Sequence, residues 1–170
     1  MKQGYFAATF AVADLAVSAS AHAEPAGRVL AAAGAVTVVR AGQSMPLAQG
    51  APIENGDSIR VGDKSTVQIG FTDESIVSLR PNSEFRVEDY RFSRNVESDR
   101  SIFGLIKGGF RTITGLIGKG NQKNYEVRGS TATIGIRGTH FVLRQCDGDC
   151  ALPDGTKGPD GLFGGVTDGR

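Results

Sequence analysis

Few residues of this chain are of a type that does chemistry at neutral pH. Downstream of the first 23 residues His140 is the only histidine, and it sits among apolar neighbours. A lone imidazole with no nucleophile or acid motif beside it reads as a core or surface residue rather than a general base. The chain contains no Gly-x-Ser-x-Gly elbow and no His-Glu-x-x-His pair. Gly115-Leu116-Ile117-Gly118-Lys119-Gly120 has the glycines of a phosphate loop. Such a loop closes on Lys-Ser/Thr and opens a helix, whereas Gly120-Asn121 follows here, so a turn is expected. Asp147, Asp149, Asp154 and Asp160 offer carboxylates to a hard cation. Their spacing matches no EF-hand loop, and a solvated loop is the expectation. Cys146 and Cys150 are separated by Asp-Gly-Asp. They suit a disulfide if the chain is exported; a metal pair is the alternative, with too few soft ligands nearby to complete a zinc site. No catalytic residue, metal or cofactor is implied, and the chain reads as a non-enzyme.

Export is what the first residues suggest. Met1-Lys2 precedes an apolar, alanine-rich stretch from Tyr5 to Val17, and Ala21-His22-Ala23 supplies a small-x-small site. That is the layout of a signal peptide over 1–23, cleaved after Ala23, although Asp14 interrupts the apolar stretch. Neither this stretch nor any later one is long and apolar enough to span a bilayer, so no membrane span is expected in the mature chain. Periplasmic or secreted residence follows.

The elements that must position the remaining residues read as strands. The 170 residues include 24 glycines and no tryptophan, with 39% hydrophobic residues. Glycine at that level without a collagen period indicates tight turns between many short strands. Residues 35–40 are rich in β-branched side chains. Segments 58–61, 66–71, 75–79 and 84–92 alternate polar and apolar residues, which places one face of each on a core. Residues 93–100 read as an exposed loop. Between 102 and 117 the apolar residues fall near helical spacing, but the five glycines at 104, 108, 109, 115 and 118 would each cost a helix up to about 1 kcal/mol. Two short strands around Gly108-Gly109 are expected instead, with one helical turn near 116–119. Further strands are expected at 124–128, 132–136 and 139–144. The fold class is therefore all-β: many short antiparallel strands in a sandwich or roll. The expected organisation is a short linker at 24–26, one β domain over 27–144 and a cysteine-bridged loop over 145–160. A further strand begins at 161, and the natural chain is expected to continue past Arg170. The net charge is +1 with scattered basic residues, which argues against nucleic acid as a partner.

Three stretches together resemble the FecR domain family. The first runs from Leu47 to Gly70 and holds Gly56-Asp57-Ser58-Ile59. The second is Thr72-Asp73-Glu74-Ser75 through Leu79-Arg80-Pro81-Asn82-Ser83. The third is Gly108-Gly109-Phe110-Arg111 followed by Ala132-Thr133-Ile134-Gly135-Ile136-Arg137-Gly138-Thr139. The resemblance implies an extracytoplasmic β-rich domain without catalysis. The best-known members relay occupancy of an outer-membrane receptor to a cytoplasmic sigma factor, and carry an anti-sigma segment and a membrane helix ahead of the domain. This sequence shows neither; it resembles standalone exported members, which points away from the sigma-regulator role.

A physical reading stands beside the resemblance. Gly138-Thr139 after Arg137 suits a strand corner, where glycine takes the sharp change of direction and threonine can bond across it. Arg111 and Arg137 are expected to be partly buried and paired with acids such as Asp57 or Asp73. Their role is either structural or that of a docking face. The function expected is an exported binding or sensing module acting on an envelope protein partner. The alternative is a structural or adhesive protein binding glycan, against which the 7% aromatic content and missing tryptophan count.

Overall fold

The computed structural model describes residues 24–135, 138–152 and 154–169. The expected signal peptide with its cleavage site, and Ile136 and Arg137, lie outside them. The described chain is all-β, as the alternating segments require. Its strands are β1 (Gly27–Ala33), β2 (Val36–Arg40), β3 (Gln43–Pro46), β4 (Pro52–Ile53), β5 (Ser58–Val61), β6 (Thr66–Phe71), β7 (Ile76–Leu79) and β8 (Glu84–Arg91). There follow β9 (Arg100–Ile113), a short helix α1 (Leu116–Gly120), a 3-10 turn at Gln122–Asn124, and β10 (Tyr125–Arg128). The last strands are β11 (Thr133–Gly135), β12 (Gly138–Cys146) and β13 (Gly161–Gly169).

All thirteen strands belong to one sheet that folds over on itself, and β9 is where it folds. The first half of β9 pairs with β8 on one side and β10 on the other. Its second half pairs with β7 and β12. One layer therefore runs β3-β2-β5-β8-β9-β10-β11, and the other β4-β1-β6-β7-β9-β12-β13. The two short strands expected around Gly108-Gly109 are instead one strand of fourteen residues, bent between the layers. The helical spacing of its apolar residues has a simple cause. Ser101, Phe103 and Leu105 point into the core before the bend, and Phe110 and Thr112 after it, so the inward set changes parity. Gly108 takes φ +74°, a left-handed value that favours glycine. A second departure from expectation is the β9–β10 pair, which is parallel: α1 and the 3-10 turn form the crossover that lets the chain return in the same direction.

The core lies between the layers. Ile59, Ile69, Val77, Phe85, Phe103, Phe110 and Tyr125 are fully buried. Its centre is a connected set of rings drawn from both layers. Phe71 stands 5.0 Å from Phe103, which stands 5.1 Å from Phe85, and Phe85 lies 5.4 Å from Phe110. Tyr125 closes the set against Phe103 and Phe141, edge to face. Such contacts add about 0.5–1.5 kcal/mol each beyond simple burial.

Candidate functional site

Asp57 and Asp73 are both fully buried, where no partner molecule reaches them. An ionised carboxylate in that position must be paired or fully hydrogen-bonded. Asp57 meets Arg40 in a two-pronged contact: Nε donates to Oδ1 and Nη2 to Oδ2, each at 2.7 Å. Arg40 Nη1 also donates to Glu54 at 2.6 Å, and the Glu54 backbone N–H donates to Asp57 Oδ2. The hydrogen bonds that Arg40 donates to Asp57 hold its guanidinium protonated even more firmly than usual, against the opposing effect of burial. The cluster fastens the tight turn at Glu54–Asp57 to β2.

Asp73 occupies the turn between β6 and β7. Its Oδ1 accepts from the Ser75 hydroxyl at 2.6 Å, the Ser75 backbone N–H and the Tyr90 hydroxyl. Its backbone carbonyl accepts from Leu116 at 2.7 Å, which anchors the start of α1. Gly115 must be glycine here, since a Cβ would run into that carbonyl. Burial, reinforced by the Asp73 charge, pushes the Tyr90 hydroxyl well above its ordinary value. Asp73 thus joins β6, β8 and α1.

Neither acid pairs with Arg111, contrary to expectation. Arg111 is exposed and forms no ion pair among the described residues. The reason is strand parity: Arg111 stands between the inward-facing Phe110 and Thr112, so its side chain leaves the sheet on the outer face. Arg137 lies outside the described residues. Gly138 opens β12, where the backbone register against β13 shifts between Gly138 and His140, and Thr139 follows it in the strand.

The cysteines form a disulfide, Cys146–Cys150, which removes both sulfurs from metal chemistry. The acidic loop binds itself. Asp149 Oδ1 accepts from the Asp147 N–H, Asp160 Oδ1 from Gly148 N–H, and Asp154 Oδ1 from both the N–H and the hydroxyl of Thr156. Those last bonds hold the Asp154 carboxyl below its usual range. Among the described residues, no three His, Cys, Asp or Glu side chains converge as metal ligands would. His140 Nδ1 stands 3.7 Å from Asp168 across the β12–β13 pair, with no nucleophile between them.

A cleft of about 730 Å³ crosses the outer face of the sheet where β9 bends. Its floor is bare backbone at Gly109 and Gly165. Arg80, just past the end of β7, and Arg144 on β12 flank Gly109: the Arg80 N–H donates to the Gly109 carbonyl, and Arg144 is the register partner of Gly109. Lys107 precedes the bend, Phe163 stands opposite Arg144, and Asp149 is the single acid of the lining. Among the described residues the side chains of Arg80, Lys107 and Arg144 form no ion pair. A smaller hollow, shared at Arg80, continues the surface past Arg111. Four cations therefore line one face around a glycine floor. Sequence reasoning missed this cluster, because only strand pairing brings Arg80, Lys107 and Arg144 together from positions far apart in the chain.

The described residues make an all-β protein folded around one bent strand, with buried acids holding its turns. The family model described as "FecR protein" matches residues 57–153, more than half of the chain, and the chain belongs to that family. The matched span opens on Asp57 and takes in Asp73, the β9 bend, β12 and the disulfide. No curated protein and no solved structure matches the chain. Among the described residues, no helix is long and apolar enough to cross a membrane.

Proposed function

We propose that the protein is an exported, non-catalytic binding or sensing module of the bacterial envelope that works through contacts with another protein. The observation that carries this reading is the cationic cleft: Arg80, Lys107 and Arg144 lie free around a bare glycine floor. Unpaired cations gathered on a rigid sheet favour an oppositely charged surface and steer its approach. Export rests on the leader-like residues 1–23, and the disulfide accords with an oxidising compartment. Residues 27–144 form the binding domain, and the bridged loop at 145–160 closes one end of the cleft through Asp149.

Crosslinking in the bacterial envelope, with the full exported protein as bait, tests the reading. A protein partner that then binds the purified module saturably is the expected result. Recovery of cell-wall or glycan material alone would overturn it in favour of an adhesive role.

A further inference from the structure

Strand register sets three arginines on one face around Gly109. Leu79, Phe110 and Leu143 form a row across β7, β9 and β12, and all three are buried. Arg80, Gly109 and Arg144 form the adjoining row, so they face outward. On the other side of the buried row stand Ser78, Arg111 and Val142, which face outward too. Arg80, Arg111 and Arg144 are all exposed. β7 and β12 lie inside the layer, each paired on both sides.

Strands stand about 4.8 Å apart, so Arg80 and Arg144 are each one step from Gly109 and roughly 10 Å from each other at the backbone. Arg111 lies about 6.8 Å from Gly109 along β9. Lys107 adds a fourth cation to the cleft wall. The hollow between Arg80 and Arg144 depends on glycine: a Cβ at position 109 would stand 2.9 Å from the Leu143 carbonyl and 3.5 Å from Arg144 Cβ. Ser83 fixes the floor. Its hydroxyl accepts from the Gly109 N–H at 2.9 Å and donates to the Gly109 carbonyl at 3.0 Å.

We propose that the partner protein presents an exposed acidic loop, whose carboxylates enter the cleft from above the sheet and pair with Arg80 and Arg144 on either side of Gly109. This rests on the protein-binding reading above and specifies the partner's chemistry. An arginine fork takes a carboxylate through two parallel hydrogen bonds, and the two forks stand far enough apart to take one carboxylate each. Phosphate sites draw donors from the backbone, but the Gly109 N–H is already taken. A second copy of this chain fits less well, because Asp149, Asp154 and Asp160 of its acidic loop already accept internal hydrogen bonds.

The test uses the full exported protein and labelled, capped octapeptides, followed by fluorescence anisotropy. The probe alternates Glu and Gly, and its Gln–Gly counterpart is the control. The expected result is saturable binding of Glu–Gly that weakens with salt. Gln–Gly should bind at least about tenfold more weakly, as should Glu–Gly to an Arg80→Glu/Arg144→Glu variant with an unchanged melting temperature. Arg28→Glu/Arg86→Glu changes the net charge equally at exposed residues outside the cleft, and should weaken binding less than about threefold. Arg80→Gln/Arg144→Gln repeats the measurement if the first pair unfolds. Asp149 is the acid of the cleft lining, and Asp149→Asn keeps the Oδ1 acceptor for the Asp147 N–H. That variant should tighten binding at least about twofold, a gain that damage to the fold would not produce. No saturable Glu–Gly binding, equal binding of Gln–Gly, equal losses from the two charge reversals, or no gain from Asp149→Asn overturns the proposal. So does arginine-dependent binding of phosphatidylglycerol vesicles without binding of the peptide, which would assign the cleft to a membrane surface. An envelope partner that binds wild type and the Arg80→Glu/Arg144→Glu variant equally would overturn this inference while leaving the protein-binding reading intact.

Discussion

At the residue scale the two buried acids and the exposed arginines have opposite energetics. Asp57 is fully buried and depends on Arg40, whose side chain is only 26% exposed. Removing Arg40 would strand a carboxylate with no compensating charge. Arg40→Ala is therefore expected to cost about 3 kcal/mol, the lower end of the range for breaking a buried pair, because solvent reaches part of the arginine. Arg111→Ala, by contrast, removes an exposed side chain without an ion-pair partner among the described residues and is expected to change stability by less than about 0.5 kcal/mol. Urea unfolding of the two variants checks both values. The acids stand out in the sequence as members of short motifs. Their partners do not, because Arg40 precedes Asp57 by 17 residues and meets it only through the β2–β5 pairing. Pairing Arg111 with these acids fails for the complementary reason: the sequence around it shows an alternation, but not which phase faces the core.

At the scale of elements, the bent strand β9 determines both the fold and the cleft. Most strands follow directly from alternation, including β5, β6, β7 and β8, and α1 appears where a helical turn was expected. β9 does not, because a change of parity inside one strand imitates helical spacing, and glycines at the change look like a break. The parallel partner β10 was equally hidden, since a crossover of about a dozen residues leaves no periodic signal. Gly108 carries the bend. A Cβ there would face φ +74° and also collide with the backbone and hydroxyl of Ser83. Gly42 has a similar φ of +80° but nothing within 4 Å. The pair separates conformational strain from collision. Gly42→Ala is expected to cost about 1–2 kcal/mol, the ordinary penalty of a left-handed alanine. Gly108→Ala is expected to cost at least about 1 kcal/mol more than that, because the turn at Asn82-Ser83 must also shift. Comparison of their urea midpoints at equal slope is the measurement.

At the scale of the whole molecule, the shared ring core couples the two layers, and its two tyrosines make that coupling sensitive to alkali. Tyr125 is fully buried, with its hydroxyl beside Thr112, and burial raises it far above its ordinary value. Tyr90 is raised by burial and by the Asp73 charge. An unfolded tyrosine ionises near pH 10. Below that pH both states hold the proton, and the full stabilisation is present. Above it the unfolded chain loses its proton while the folded chain keeps it, so each tyrosine lowers stability by about 1.4 kcal/mol per pH unit until its own folded value is reached. The expected result is a fall in unfolding free energy that begins near pH 10 and proceeds at up to about 2.7 kcal/mol per unit from the two tyrosines together. Tyrosinate absorbance of these two groups should rise only as the protein unfolds. Tyr90→Phe should halve the tyrosine contribution to the slope. It should also weaken the protein at neutral pH, since the Asp73 N–H, which donates to the hydroxyl at 2.8 Å, would lose its acceptor. If Tyr90→Phe left the alkaline slope unchanged, the hydroxyl beside Asp73 would have to be open to solvent, and the joint between β6, β8 and α1 would be looser than its hydrogen bonds imply.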